Sequence, residues 1–248
     1  MGPPTFAGLP MSLPAARALC QSLASELRAF AAGEPGLSPF VEGLGAFGCA
    51  PRSSSEPPRQ AQAARTHLRT VLDALQCGPG LAETIRAFAP TTDWYRILDG
   101  AGVDPALEEG LMVGRPEPVP DAPARVGLFL IAPGVHYPLH THAAHEVYYV
   151  VSGEVGIRHG ITNEPLRIGA PGYRITPPNR VHALTTGEAP CLIAYVWTGD
   201  LAAPGWWWEQ DDAGAWQRVR WMRGDDGRWT AQSREPVSEA AWREAGES

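Results

Sequence analysis

Apolar positions in the first hundred residues recur with a helical period. Leu19, Leu23, Leu27 and Phe30 fall four, four and three residues apart, which predicts a helix. Ser12 would cap it, Pro14 sits in its first turn, and Gly33 and Pro35 should stop it. The segment PRSSSEPPRQ, residues 51–60, is a polar, proline-rich connector. Ala64, Leu68, Val71, Leu72 and Leu75 then line one face of a second helix, expected to end near Gly78-Pro79-Gly80. Leu81, Ile85 and Phe88 predict a third, shorter helix closed by Pro90.

From about Leu107 the period changes. Short apolar runs alternate with glycine and proline turns: Val126–Ala132, Val147–Val151, Val155–Arg158, Leu166–Ile168, Arg174–Thr176 and Leu192–Trp197. Such runs predict an antiparallel sandwich or barrel. With 27 glycines and 25 prolines in 248 residues, a turn-rich β domain is favoured over an α/β one. The expected division is a helical N-terminal extension over 1–104, a barrel over 105–232 and a C-terminal tail over 233–248, helical or loose.

Composition narrows the function. The chain carries 20 basic and 27 acidic side chains, a formal charge of −7, which argues against nucleic-acid or anionic-membrane partners. Every basic residue is arginine, so lysine Schiff-base chemistry and the phosphate-loop lysine are excluded. No apolar run reaches the ~20 residues that span a bilayer, no signal-like segment opens the chain, and a cytoplasmic location is expected. The four cysteines (Cys20, Cys49, Cys77 and Cys191) lack zinc-ribbon spacing.

Four of the seven histidines, His136, His140, His142 and His145, lie within ten residues. On a continuous strand His140, His142, Glu146 and Tyr148 would share one face, with His145, Val147 and Tyr149 on the other. Two imidazoles and a carboxylate converging in a barrel suit a borderline-soft divalent metal. His182, after the PPNR turn, is the candidate for a further ligand. His136 shares parity with the ligand set but precedes Pro138, and His145, His159 and His67 read as packing or surface residues.

The spacing resembles the cupin family. Gly134, five residues, HxH, three residues, Glu146, six residues and Gly153 match the first cupin motif throughout. Gly172 to His182 matches the second less closely: its first gap is one residue short, Asn179 stands where glycine is usual, and Thr186 replaces an asparagine. Asparagine tolerates positive φ, so the turn at Asn179 should survive. The resemblance covers about a third of the chain and implies a mainly β, double-stranded β-helix (jelly-roll) barrel with a central metal.

Tyr137, three before His140, and Tyr148, two after Glu146, extend the pattern to one that resembles the cupin-type dimethylsulfoniopropionate lyases. That resemblance implies cleavage of a small zwitterion to dimethyl sulfide and acrylate. It implies His140, His142, Glu146 and His182 at the metal, Tyr148 as base and Tyr137 assisting. Zinc, iron, manganese, cobalt or nickel would each suit such ligands. Trp94, Trp197 and Trp206-Trp207-Trp208 are aromatic candidates for the sulfonium, with core packing as the alternative role of each. Four other readings stay open: a metal-dependent dioxygenase, a related lyase for another small carboxylate, a sugar isomerase or epimerase (disfavoured by the absence of lysine), and a non-enzymatic ligand-binding cupin. The tryptophan-rich segment and the helical extension leave a homodimer open.

Overall fold

The computed structural model describes residues 13–46, 62–97, 110–114, 122–223 and 229–246. Ser12 and the connector 51–60 lie outside them. Four helices come first: α1 (Leu13–Ala31), α2 (Ser38–Gly45), α3 (Gln62–Asp73) and α4 (Pro79–Phe88). The stripe Leu19, Leu23 and Leu27 on α1 is fully buried, as its spacing predicts. α2 was not expected. Gly33 and Pro35 do end α1, but Pro35 opens a 3-10 turn and Pro39 fits the first turn of α2, which buries Phe40 and Leu44. The second predicted helix stops at Asp73, earlier than its apolar period suggested. Gly78-Pro79 begins α4 instead of closing α3, because proline lacks the N–H that a first helical position leaves unpaired.

The strands are β1 (Trp94–Arg96), β2 (Leu111–Gly114), β3 (Ala124–Ile131), β4 (His136–Thr141), β5 (Ala144–Ser152), β6 (Glu154–His159) and β7 (Leu166–Gly169). They continue with β8 (Gly172–Thr176), β9 (His182–Thr186), β10 (Cys191–Gly199), β11 (Trp206–Gln210), β12 (Trp216–Arg223) and β13 (Trp229–Pro236). Each of the six predicted apolar runs falls on a strand, except that Ala132 lies one residue past the end of β3. Of the strands outside those runs, β4 and β9 carry His, Pro and Thr in place of apolar alternation. β13 runs across the expected boundary at 232, and a short helix, Glu239–Glu244, follows it. Trp242 of that helix packs on Trp208, ring centroids 5.6 Å apart.

The strands form two antiparallel sheets, in the orders β1-β2-β3-β10-β5-β8 and β13-β12-β11-β4-β9-β6-β7. One apolar cluster fills the space between them, with Phe129, Val150, Ile157, Leu184 and Ile193. A second joins the outer face of the six-stranded sheet (Val147, Tyr149, Val196) to Leu23, Leu27 and Phe40 of the helices. The helical layer thus shares a core with the sheet. Among the described residues no helix is long and apolar enough to cross a membrane.

Candidate metal centre

The histidine-rich segment is not one continuous strand. β4 ends at Thr141, the chain turns a corner through His142 and Ala143, and β5 begins at Ala144 in the other sheet. Simple alternation along 136–148 therefore fails, and convergence comes from two sheets facing one interior. A bulge makes a further correction. In the β4–β9 pairing Tyr137 lies opposite Leu184 and His140 opposite His182, so β4 holds one extra residue around Pro138. Tyr137 and His140, three apart, consequently share the interior face and stack at 4.2 Å. His136 is left exposed, outside the site.

His140, His142 and His182 are buried, and their ligand atoms all lie within 4.8 Å of one another. Each ring is fixed from behind. Nδ1–H of His140 donates to the Pro138 carbonyl (2.8 Å), that of His142 to Ala144 (3.0 Å) and that of His182 to Arg180 (2.8 Å). With the proton on Nδ1, all three Nε2 lone pairs face the shared space. Glu146 Oε2 stands 3.1 Å from His142 Nε2 and 3.6 Å from His182 Nε2. Lone pairs facing a buried carboxylate call for positive charge between them, either a proton or a cation. The donor set thus fits a divalent transition metal.

Burial would raise the Glu146 carboxyl, but His142 and His182 more than offset it and hold the group far below the usual carboxylate range. Trp197 Nε1–H donates to the other oxygen, Oε1, at 2.5 Å, and the Trp197 ring stacks on His142 at 4.2 Å. Burial lowers His140, with the neighbouring His182 and His142 adding to the effect, and burial also lowers His182. Neutral rings are the ligand form.

Tyr148 is buried with its hydroxyl 3.4 Å from His182 Nε2, long for a hydrogen bond. Burial, then the Glu146 carboxylate, raise it well above the ordinary phenol value, and the same two causes raise Tyr137. The motif glycines adopt left-handed backbone, φ +69° at Gly134 and +76° at Gly153. Asn179 does so too, φ 60°, as its tolerance predicts, and its N–H donates to the His142 carbonyl at 2.8 Å.

The tryptophans separate by register. Trp207 lies opposite His140 and faces inward, 5.3 Å from Tyr137 ring to ring, whereas Trp206 and Trp208 face out. Trp94 is buried in the cluster beneath the helices, away from the site. His145 packs on Phe40 at 4.6 Å, on the helical side, as read from the sequence. His159 differs from its sequence reading. It alternates with inward-facing Val155 and Ile157, lies opposite His182, and its ring is 6.3 Å from that of His182. The period-two pattern of β6 carried that signal.

A dimethylsulfoniopropionate lyase family model matches residues 49–193, more than half of the chain. The chain belongs to the dimethylsulfoniopropionate lyase family. It is 33% identical over 69 residues to dimethylsulfoniopropionate lyase DddQ of Ruegeria pomeroyi, covering 27% of this chain and 33% of that protein. It is 36% identical over 85 residues to putative dimethylsulfoniopropionate lyase DddL of Cereibacter sphaeroides, covering 32% and 34%. These alignments span about a third of each relative's length. The crystal structure of DddQ from Ruegeria pomeroyi superposes with a TM-score of 0.58 at 22% identity, over 75% of this chain and 94% of that one. A structure of the DMSP lyases RdDddP and RnDddQII gives 0.53 at 21%, over 77% and 97%. The structural likeness establishes the fold, a mainly β cupin barrel with N-terminal helices.

Proposed function

We propose that this chain cleaves dimethylsulfoniopropionate to dimethyl sulfide and acrylate by β-elimination, using a divalent metal held by His140, His142, Glu146 and His182. The observation that carries the reading is the set of three imidazoles, each pinned through Nδ1–H to a backbone carbonyl, converging beside the Glu146 carboxylate. When bound, a divalent metal supplies positive charge that stabilises negative charge developing on the substrate carboxylate.

Tyr148 takes the proton from the carbon beside the carboxylate. That C–H electron pair becomes the double bond, the C–S bond breaks, and dimethyl sulfide leaves as a neutral molecule. The proton ends on the Tyr148 oxygen. Burial and Glu146 oppose the phenolate, so Tyr148 works as a base only with cationic charge at the histidines. Tyr137, stacked on His140, stays a neutral phenol able to donate a hydrogen bond. Trp207, facing the interior beside Tyr137, offers an aromatic face to the sulfonium.

Headspace gas chromatography of the purified chain, loaded in turn with zinc, iron, manganese, cobalt and nickel, tests the reaction. Dimethyl sulfide should appear with metal and vanish with chelator; oxygen consumption without sulfide would point to a dioxygenase instead. Tyr148→Phe should lower turnover by ~10²–10⁴-fold with metal content unchanged. His142→Ala should lose the metal itself. Full activity in Tyr148→Phe removes the tyrosine from the base role.

A further inference from the structure

β8 sends its side chains in two directions. Tyr173 and Ile175 pack against the helical core, whereas Arg174 and Thr176 lie opposite Tyr148 and Glu146 and face the interior. Arg174 is thus a half-buried guanidinium inside the barrel, one strand from the proposed base. Among the described residues its polar contact is the His159 ring. Arg174 Nε lies 3.4 Å from both ring nitrogens, and Nη2 lies 3.2 Å from Nδ1. His159 Nε2 also meets the Thr176 hydroxyl at 3.1 Å. A neutral imidazole has one acceptor nitrogen and a guanidinium five N–H donors, so His159 satisfies at most one of them. Arg174 meets no carboxylate among the described residues. A partly desolvated, planar fork of donors with no counter-ion suits a carboxylate ligand.

The rows across the sheets give this cation a direction. In the seven-stranded sheet Trp207, His140, His182 and His159 stand side by side on β11, β4, β9 and β6. In the six-stranded sheet the row is Tyr195, Tyr148 and Arg174. Each row is aromatic at one end, and at the other His159 and Arg174 meet. The interior is polarised across the histidine cluster, as a molecule with one cationic and one anionic end requires.

We propose that Arg174 binds the carboxylate of the substrate and so sets which end of the zwitterion faces the aromatic side. The proposal rests on the lyase reading for the substrate's identity, but not for the existence of an anion anchor. The test compares the metal-loaded full chain with Arg174→Gln and Arg174→Lys, using acrylate as a carboxylate probe in calorimetric titration and dimethylsulfoniopropionate for kinetics. Arg174→Gln should weaken acrylate roughly 10- to 100-fold and raise KM by a similar factor, with a smaller effect on kcat. Arg174→Lys, which keeps the charge and loses the fork, should fall between. Equal acrylate affinity in the three proteins, or no acrylate binding by the wild type, overturns the anchor even where dimethyl sulfide is formed. Acrylate binding that depends on Arg174 without sulfide production sustains the anchor and sinks the lyase reading.

Discussion

Glu146 is held by three side chains, two imidazoles and an indole. His142 and His182 face one oxygen, and the indole N–H of Trp197 fixes the other. The indole therefore sets where the carboxylate points, and its ring braces His142 by stacking. Partners that orient a ligand in this way typically contribute 10- to 100-fold in metal affinity. Trp197→Phe retains an aromatic ring and removes the donor. It should weaken metal binding by about that factor, read by competition with a chromogenic chelator, while the melting temperature of the metal-free chain changes little. Unchanged metal affinity would mean that the histidines alone orient Glu146. At this scale the sequence was informative about which residues converge and much less so about their surroundings. His140, His142, Glu146 and His182 do come together, because motif spacing encodes them. Trp197 and Arg174 were less visible, since their roles depend on which strand lies beside which. β8 shows why: its apolar residues serve the helices and its polar ones the interior, the reverse of an inward-apolar pattern.

Turns decide how the elements deliver these residues. Gly134 and Gly153 both have positive φ, yet their surroundings differ. A Cβ at Gly134 would meet nothing within 4 Å, so Gly134→Ala should cost only the left-handed backbone penalty of about 1–2 kcal/mol. A Cβ at Gly153 would collide with the Pro190 carbonyl oxygen, where β5 passes to β6 and β10 begins. Gly153→Ala should therefore destabilise by clearly more than Gly134→Ala in urea unfolding, because backbone must move as well. Equal losses would show that this corner yields easily. The element pattern explains which strands were legible. β3, β5 and β10 announce themselves through continuous apolar runs buried on both faces, against helices outside and the partner sheet inside. β4 and β9 carry His140 and His182 of the candidate metal centre in place of core residues, so apolar periodicity misses these strands. The Pro138 bulge is a further case: one extra residue reversed the parity of His136 and brought Tyr137 inward.

The whole molecule is organised around the six-stranded sheet, whose two faces serve two cores. Its inner face carries Tyr148 and Glu146; its outer face carries Val147 and Tyr149, covered by α1 and α2. Polar links also cross that outer layer. Glu26 on α1 accepts hydrogen bonds from the Tyr149 hydroxyl (2.7 Å) and from the Gly78 N–H ahead of α4 (2.9 Å). The neighbours of Tyr148 along β5 are thus clamped by the helices, and the Gln76 N–H adds a bond to the Val151 carbonyl at 2.8 Å. We infer that helices and barrel fold as one cooperative unit, so that the division at 104/105 does not mark an independent domain. A chain begun at residue 105 would leave the apolar outer face of β3, β5 and β10 uncovered, a patch that favours association. Such a chain should be recovered as aggregate, or elute as large oligomers in size-exclusion chromatography, with no sharp thermal transition. The same experiment on Glu26→Ala in the full chain should give a folded protein with a lower melting temperature, since two partly buried hydrogen bonds are lost and the apolar cover remains. A monodisperse, cooperatively melting barrel from residue 105 onward would show instead that the helices only decorate a self-sufficient sandwich.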